Sequence, residues 1–118
     1  MKQPLKTALD MFYERERQHP DRIYLRQPVN GEWLEFSWAE VGRQARAMAD
    51  ALHDMGCSEG DRVAILSKNC AHWIMADLAI MMAGCVSVPL YPTQKADTID
   101  YVLRHSESKV IFVGKLDE

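Results

Sequence analysis

Apolar side chains recur every three or four positions in three segments of the chain, a spacing that predicts amphipathic helices. The first segment covers residues 4–18 and stops before Pro20, because a proline disfavours helical backbone in the residue that precedes it. The second runs from Trp38 to Met55, and the third starts at Ala96. Each of these helices therefore has one face suited to burial.

The second helix carries clear end signals. Ser37 and Glu40 are spaced as a capping box, in which each side chain binds the other residue's backbone amide. Gly56 stands where a left-handed helix end is expected. A further helix, capped by Asn69 and ended by Gly84, is apolar on nearly every side.

A β-hairpin is predicted between the first two helices. Residues 23–26 and 33–36 are short β-prone runs on either side of Asn30-Gly31. Asparagine followed by glycine is the strongest short-range signal for a two-residue hairpin turn, because both positions must adopt a positive φ. We therefore expect two antiparallel strands here.

Three nearly continuous apolar runs follow, at residues 63–66, 86–90 and 110–113. Runs of this kind are typical of parallel strands covered on both faces, and the last of them is expected to be central. Their alternation with two helices predicts a right-handed βαβαβ unit, half of a doubly wound sheet. The predicted fold class is α/β, with a helix and hairpin in residues 1–36 and a helix plus βαβαβ unit in 37–118.

The helix that is apolar on every side offers more hydrophobic surface than the rest of this chain is expected to cover. The residues concerned are Trp73, Ile74, Leu78, Ile80, Met81 and Met82. We therefore expect the chain to be the first part of a larger protein that covers them.

The chain has 118 residues, of which 47% are hydrophobic and 26% are charged. This composition fits a compact domain and excludes a disordered or low-complexity chain. The 14 Lys and Arg residues stand against 17 Asp and Glu residues, which leaves no basic excess to bind a phosphate backbone. No nucleic-acid partner is expected.

Neither a signal peptide nor a transmembrane helix is indicated. The amino terminus is too charged for a signal peptide, and the most apolar stretch, residues 78–90, falls short of the roughly 18 apolar residues of a membrane span. Cys57, Cys70 and Cys85 are odd in number and include no C-x-x-C pair, so neither a disulfide framework nor a zinc site is indicated. A reducing cytoplasmic location fits these features.

Residues that could carry chemistry are sparse. No glycine-rich phosphate-binding motif can be written around the six glycines, and the four histidines stand at no metal-ligand spacing. His72 is expected to have a packing or capping role, and Met75, Met81 and Met82 are expected to belong to the core. The residues alone therefore indicate an α/β segment without a visible active site.

Four stretches, taken in order, resemble the amino-terminal region of the adenylate-forming acyl-CoA synthetases, the AMP-binding superfamily. Residues 56–65 are similar to the motif G-x-x-x-G-D-R-V-A-I of that family, and residues 82–90 to its motif x-A-G-x-x-x-V-P-L. The other two are residues 36–41 and the helix and strand that hold Tyr101, Leu103, Ser106 and residues 109–113. The resemblance covers about residues 20–114. Within the family, residues 69–73 and 91–93 look most like the long-chain fatty acid members.

The resemblance implies a two-step reaction for a complete enzyme of fatty acid metabolism. A fatty carboxylate attacks the α-phosphate of ATP to give acyl-AMP and pyrophosphate, and the thiol of coenzyme A then displaces AMP, with magnesium offsetting the phosphate charge. The catalytic, ATP-binding and metal residues of the family all lie downstream of the matched region. This chain alone is therefore expected to be inactive and to hold no cofactor.

The motifs that are present imply structural roles: Ser37 and Glu40 cap a helix, Gly84 ends one, and Asp61 and Arg62 shape a turn beside a strand. Tyr91 and Thr93 are the candidate residues next to the substrate, because they follow the carboxyl end of a strand, where α/β sheets place their ligands.

The expected partners are the remainder of the ligase chain and a fatty acid, and peripheral membrane contact and homo-oligomers are compatible with the sequence. Three alternatives stay open. The complete protein could act on shorter or aromatic acids, it could be an amino acid adenylation domain, or this chain could be an autonomous, non-catalytic binding module.

Overall fold

A computed structural model describes residues 7–68 and 70–114. Its contacts divide the chain into two compact units, Met1–Arg43 and Gln44–Glu118. The elements, in chain order, are α1 (Ala8–Gln18), β1 (Ile23–Val29), β2 (Glu32–Ser37), α2 (Trp38–Asp54), β3 (Arg62–Leu66), α3 (Ala71–Met82), β4 (Val86–Leu90), α4 (Ala96–Ser106) and β5 (Val110–Val113). Every predicted helix and strand is present. Residues 4–6 of the first predicted helix and the predicted cap Asn69 lie outside the described residues.

Helix α1 begins at a capping box that the sequence analysis did not identify. The Asp10 amide donates to Thr7 Oγ1 at 3.0 Å, and the Thr7 amide donates to Asp10 Oδ2 at 3.2 Å. The buried Phe12 of α1 lies beside Tyr24 and Trp38, whose rings stack with centroids 3.8 Å apart. This aromatic cluster packs α1 against β1 and the start of α2 within the first unit.

Strands β1 and β2 form the predicted antiparallel hairpin. Val29 pairs with Glu32, so the turn consists of Asn30 and Gly31, with φ values of 51° and 81°. Two consecutive positive φ angles identify the two-residue turn that matches the twist of the flanking strands. The Asn-Gly prediction is confirmed.

Helix α2 has the bond that Ser37 was predicted to make and the predicted glycine at its end. The Glu40 amide donates to Ser37 Oγ at 3.1 Å, while the Glu40 carboxylate accepts from the Arg43 guanidinium. At the other end, Gly56 has a φ of +93° and the Cys57 amide donates to the Leu52 carbonyl at 3.0 Å. That bond satisfies a carbonyl that the end of a helix otherwise leaves unpaired.

Strands β3, β4 and β5 form a parallel sheet in the order β4-β3-β5. Val63, Ala64 and Ile65 of β3 are buried, as predicted for a strand covered on both faces. In the described sheet β5 is an edge strand, and its central position stays a prediction for the sheet of the larger protein. Val86 of β4 is 51% exposed, so β4 is not buried throughout, because it also lies at an edge.

Helix α3 is better covered than the sequence analysis expected. Leu78 and Ile80 are buried, because α3 packs against β3 and β4, and this corrects the expectation that both are uncovered. Trp73, Ile74, Met81 and Met82 are half-buried. Within residues 7–68 and 70–114, no helix has both the length and the apolar character needed to cross a membrane.

Candidate functional site

A pocket of about 100 Å³ opens at the carboxyl ends of β3 and β5. Parallel α/β sheets bind their ligands at this edge, because the loops that leave the strands there surround a crevice. Four segments of the second unit reach the pocket: the part of α2 that holds Met48, the end of β3, the first turns of α3 and the end of β5. The lining residues are Met48, Ile65, Ser67, His72, Trp73, Ala76, Phe112, Val113 and Gly114.

Ser67 and Gly114 bring the ends of β3 and β5 together at this pocket. The Gly114 amide donates to the Leu66 carbonyl at 3.0 Å, which extends the β3–β5 ladder by one residue. A Cβ atom on residue 114 would lie 2.6 Å from Ser67 Oγ, so a side chain there would require one of the two residues to shift. Ser67 is 1% exposed, and its hydroxyl donates to the Lys68 carbonyl at 2.8 Å.

The first turns of α3 bring His72 and Trp73 to the pocket. His72 is exposed, so its imidazole is a surface group and not part of the core. The indole Nε1 of Trp73 is buried and has no hydrogen-bond partner in the part of the chain that the structure describes. The position before α3 is Cys70, whose side chain makes no capping hydrogen bond.

Tyr91 and Thr93 lie in the turn that follows β4 and do not line this pocket. The Tyr91 amide donates to Gln94 Oε1 at 2.9 Å, and the Gln94 amide donates back to the Tyr91 carbonyl at 3.0 Å. Both side chains are exposed. The fold thus places these two residues at the carboxyl end of β4, as expected, but it does not bring them together with Ser67 and Trp73.

The motif segments meet at the opposite, amino-terminal edge of the sheet. The Gly60 amide donates to the Gly84 carbonyl at 2.8 Å, and the Val86 amide donates to the Asp61 carbonyl at 2.9 Å. Gly84 has a φ of +78°, which a side chain would strain. These bonds join the turn before β3 to the turn before β4, and we call this contact the motif junction.

Asp61 and Lys109 connect the last motif segment to the motif junction. Asp61 Oδ2 accepts from the Ser58 amide at 2.7 Å and from Lys109 Nζ at 3.1 Å, and Lys109 Nζ also donates to the Gly56 carbonyl at 3.1 Å. The Ser58 amide and then the Lys109 ammonium favour the carboxylate, and they hold the pKa of Asp61 below its usual value. Asp61 therefore shapes the turn before β3, as predicted.

The buried thiol of Cys85 also belongs to the motif junction. Its Sγ donates to the Ser58 carbonyl at 3.4 Å. Burial raises the pKa of this thiol, so the neutral form is favoured over the reactive thiolate. The contact between Cys85 and the Ser58 carbonyl therefore stabilises the motif junction and does not indicate a reactive thiol.

Across the described ranges, no group of three or more His, Cys, Asp or Glu side chains could hold a metal ion. The donor set that Mg²⁺ prefers, carboxylates beside bound phosphates, is therefore not assembled by these residues. The geometry offers a small apolar pocket at one edge of the sheet and a structural junction at the other.

Comparison with known proteins connects this architecture to an enzyme family. A model of the AMP-binding enzyme family matches residues 12–118. The chain belongs to the AMP-binding enzyme family. Its motif junction is formed by segments that carry the resemblance, namely residues 56–65, residues 82–90 and Lys109.

The relatives within the AMP-binding family are much longer than this chain. The long-chain-fatty-acid–CoA ligase FadD15 of Mycobacterium tuberculosis is 38% identical over 86% of this chain but only 17% of its own length. Surfactin synthase subunit 1 of Bacillus subtilis is 31% identical over 90% of this chain and 3% of its own length. A fatty acid AMP ligase from Legionella pneumophila has the same fold, with a TM-score of 0.82 over 89% of this chain and 19% of that chain, at 24% identity.

Sequence reasoning located the turn of Asp61 but missed the pocket. The pocket depends on the close approach of Ser67 and Gly114, which are far apart in the sequence and match no motif. The only local signal is a small residue directly after each of two predicted parallel strands. That pattern is common in α/β proteins, so it does not by itself predict a pocket.

Proposed function

We propose that this chain is the amino-terminal structural part of an ATP-dependent long-chain fatty acid:CoA ligase. The complete enzyme would join a fatty carboxylate to the α-phosphate of ATP, release pyrophosphate, and then transfer the acyl group to the thiol of coenzyme A. ATP, Mg²⁺ and coenzyme A would bind residues outside the described part of this chain.

The substrate class rests on one observation. Identity to the long-chain-fatty-acid–CoA ligase FadD15 is 38%, against 31% to surfactin synthase subunit 1, over similar shares of this chain. The difference favours a fatty acid over an amino acid as the carboxylate substrate. The complete enzyme can be tested for this preference directly.

The motif junction suggests what this chain contributes to that enzyme. Its hydrogen bonds involve Gly60, Asp61, Gly84 and Lys109 at the amino-terminal ends of the parallel strands. In α/β folds this edge serves stability, while ligands bind at the carboxyl edge. The chain would therefore act as a rigid base for the catalytic residues.

We further propose that Tyr91 and Thr93 lie next to a substrate in the complete enzyme. Both are exposed, and both follow the carboxyl end of β4. The replacements Tyr91→Ala and Thr93→Ala should then raise the KM for one substrate of the complete enzyme. Tyr101→Ala, at an exposed aromatic residue on α4, is the control and should leave every KM unchanged.

The experiment is pyrophosphate release by the protein encoded by the complete reading frame. Palmitate should support release, and addition of coenzyme A should yield palmitoyl-CoA, whereas benzoate and the common amino acids should give background rates. Release with an amino acid would assign the protein to the amino acid adenylating branch instead. No release with any carboxylate would favour a non-catalytic binding module.

The present chain serves as the matched control in the same assay. It should give no pyrophosphate release with palmitate, because the family's catalytic and ATP-binding residues are expected outside it. Release by this chain alone would show that the chemistry lies within residues 1–118.

The cytoplasmic location stays a prediction.

A further inference from the structure

The turn that follows β4 is closed by the side chain of Gln94. Gln94 Oε1 accepts a hydrogen bond from the Tyr91 amide at 2.9 Å, and the Gln94 amide donates to the Tyr91 carbonyl at 3.0 Å. The second bond joins the first and fourth positions of a β-turn, and Pro92 occupies the second position, where its ring already restricts φ. Two hydrogen bonds and one proline therefore hold this turn.

The two ends of the turn are fixed, while the side chains of Tyr91 and Thr93 are open to solvent. Leu90, the last residue of β4, is fully buried, and α4 begins at Ala96. Tyr91 and Thr93 are exposed, whereas Gln94 is half-buried. An exposed segment without internal bonds samples many conformations, and the entropy lost when it is ordered opposes binding. The Gln94 side chain therefore restricts the backbone from which Tyr91 and Thr93 project.

We propose that Gln94 is a positioning residue, which holds Tyr91 and Thr93 in the arrangement that a substrate of the complete enzyme contacts. This inference rests on the proposed function, because it requires that these two residues lie next to a substrate. Gln94 acts through the backbone of residue 91 and does not touch the reacting atoms. A turn that is already ordered favours the bound substrate and the transition state equally. Loss of the Gln94 bond should therefore raise a KM and leave kcat unchanged.

The first test measures whether Gln94 holds the turn in the complete enzyme. Gln94→Met keeps the length of the side chain but replaces the amide by a thioether, a weak acceptor, whereas Gln94→Glu keeps an acceptor oxygen. Hydrogen–deuterium exchange of the peptide that covers residues 90–95 includes the Tyr91 and Gln94 amides. Its slowest exchange should become about three- to tenfold faster in Gln94→Met, the range that one hydrogen bond provides, and stay unchanged in Gln94→Glu. Unchanged exchange in Gln94→Met, or equal acceleration in both variants, would overturn the proposal.

The second test measures kcat and the KM of each substrate in the ligation of palmitate by the complete enzyme. Gln94→Met should raise the same KM as Tyr91→Ala or Thr93→Ala, by about three- to tenfold, with kcat unchanged. Thr98→Ala, at an exposed position of α4, is the control and should change neither constant. A fall in kcat without a rise in any KM would contradict the positioning role.

A triple variant separates an effect through the turn from an independent effect of Gln94. Once Tyr91 and Thr93 are both alanine, Gln94→Met has no side chain left to position and should raise the KM no further, so strict additivity would refute the proposal.

Failure of the proposed function gives different results. An unmodified complete enzyme that releases no pyrophosphate with any carboxylate would contradict both proposals. If the enzyme is active but Tyr91→Ala and Thr93→Ala leave every KM unchanged, the substrate contact is wrong and Gln94 has no positioning role. If those two variants raise a KM and Gln94→Met does not, the positioning role alone is wrong.

Discussion

The close approach of Ser67 and Gly114 makes a sharp prediction for Gly114→Ala. The added Cβ would lie 2.6 Å from Ser67 Oγ and 3.0 Å from Ser67 Cβ, where attractive contacts require about 3.5 Å or more. Ser67 is almost fully buried, so its side chain cannot turn into solvent to make room. The overlap must be relieved by a shift of Ser67 or of the exposed residue 114. Extra atoms that force such shifts cost about 1–3 kcal/mol, and we expect Gly114→Ala to lower the free energy of unfolding by about 2 kcal/mol.

Urea unfolding followed by circular dichroism measures this change. The transition midpoint should fall while the slope of free energy against urea concentration stays constant, because the fold and its buried surface are retained. In a thermal scan the same change should lower the melting temperature by roughly 5–10 °C.

A double-mutant cycle with Ser67→Ala identifies the contact responsible. Ser67→Ala removes Oγ, the nearer of the two clashing atoms, so Gly114→Ala should cost at least about 1 kcal/mol less in the Ser67→Ala background. Strict additivity of the two replacements would refute the steric origin of the effect. A loss of stability below about 0.5 kcal/mol for Gly114→Ala would refute it as well.

Three further replacements test other features. Gly84→Ala forces a side chain into a φ of +78° and brings its Cβ to 3.3 Å from Glu59 Cγ, so it should cost about 1–2 kcal/mol in urea unfolding. Asp61→Asn should reduce the fall in the free energy of unfolding that occurs as the pH is lowered into the acid range. The lowered pKa of Asp61 adds stability above the pKa of the unfolded chain, near pH 4, and this contribution disappears as the pH falls through the lower folded value. Phe12→Ala should cost about 3–4 kcal/mol, because Phe12 is buried in the aromatic cluster of the first unit.

Each of these has an outcome that would contradict it. An unchanged midpoint for Gly84→Ala would mean that the turn tolerates a side chain. Asp50→Asn, at an exposed position of α2, is the control for Asp61→Asn. If both replacements change the pH dependence of the unfolding free energy equally, the contacts of Asp61 with Ser58 and Lys109 are not the cause of the effect. If Phe12→Ala costs less than about 1 kcal/mol, the aromatic cluster does not stabilise the first unit.

Local patterns were sufficient to predict the elements of this chain. Asn30-Gly31 demanded two positive φ angles, Ser37 and Glu40 were spaced for a cap, and Gly56 ended a helix, so each prediction depended on residues close together in sequence. The cap at Thr7 and Asp10 carried a similar local signal, with aspartate in the place of the usual glutamate or glutamine.

Features that depend on the position of a strand in the sheet were predicted less well. Val86 and the strand β5 are apolar in sequence, yet both lie at an edge of the described sheet, because strand order is set by the crossover connections. The pocket was missed for a similar reason, since Ser67 and Gly114 meet only once β5 has paired with β3. The position of Tyr91 and Thr93 after β4 followed from element order, and their role stays a proposal.

The contact of Lys109 with the motif junction also has a consequence for folding during synthesis. Lys109 reaches Asp61 and Gly56 across 48 and 53 positions of the chain, so this contact closes a long loop. While the ribosome makes the chain, β3 can pair with β4 first, and the opposite edge of β3 stays unpaired until β5 has emerged. An unpaired, apolar strand edge is a site of intermolecular aggregation. The edge of β3 that later pairs with β5 is therefore open to intermolecular pairing between the synthesis of β4 and that of β5.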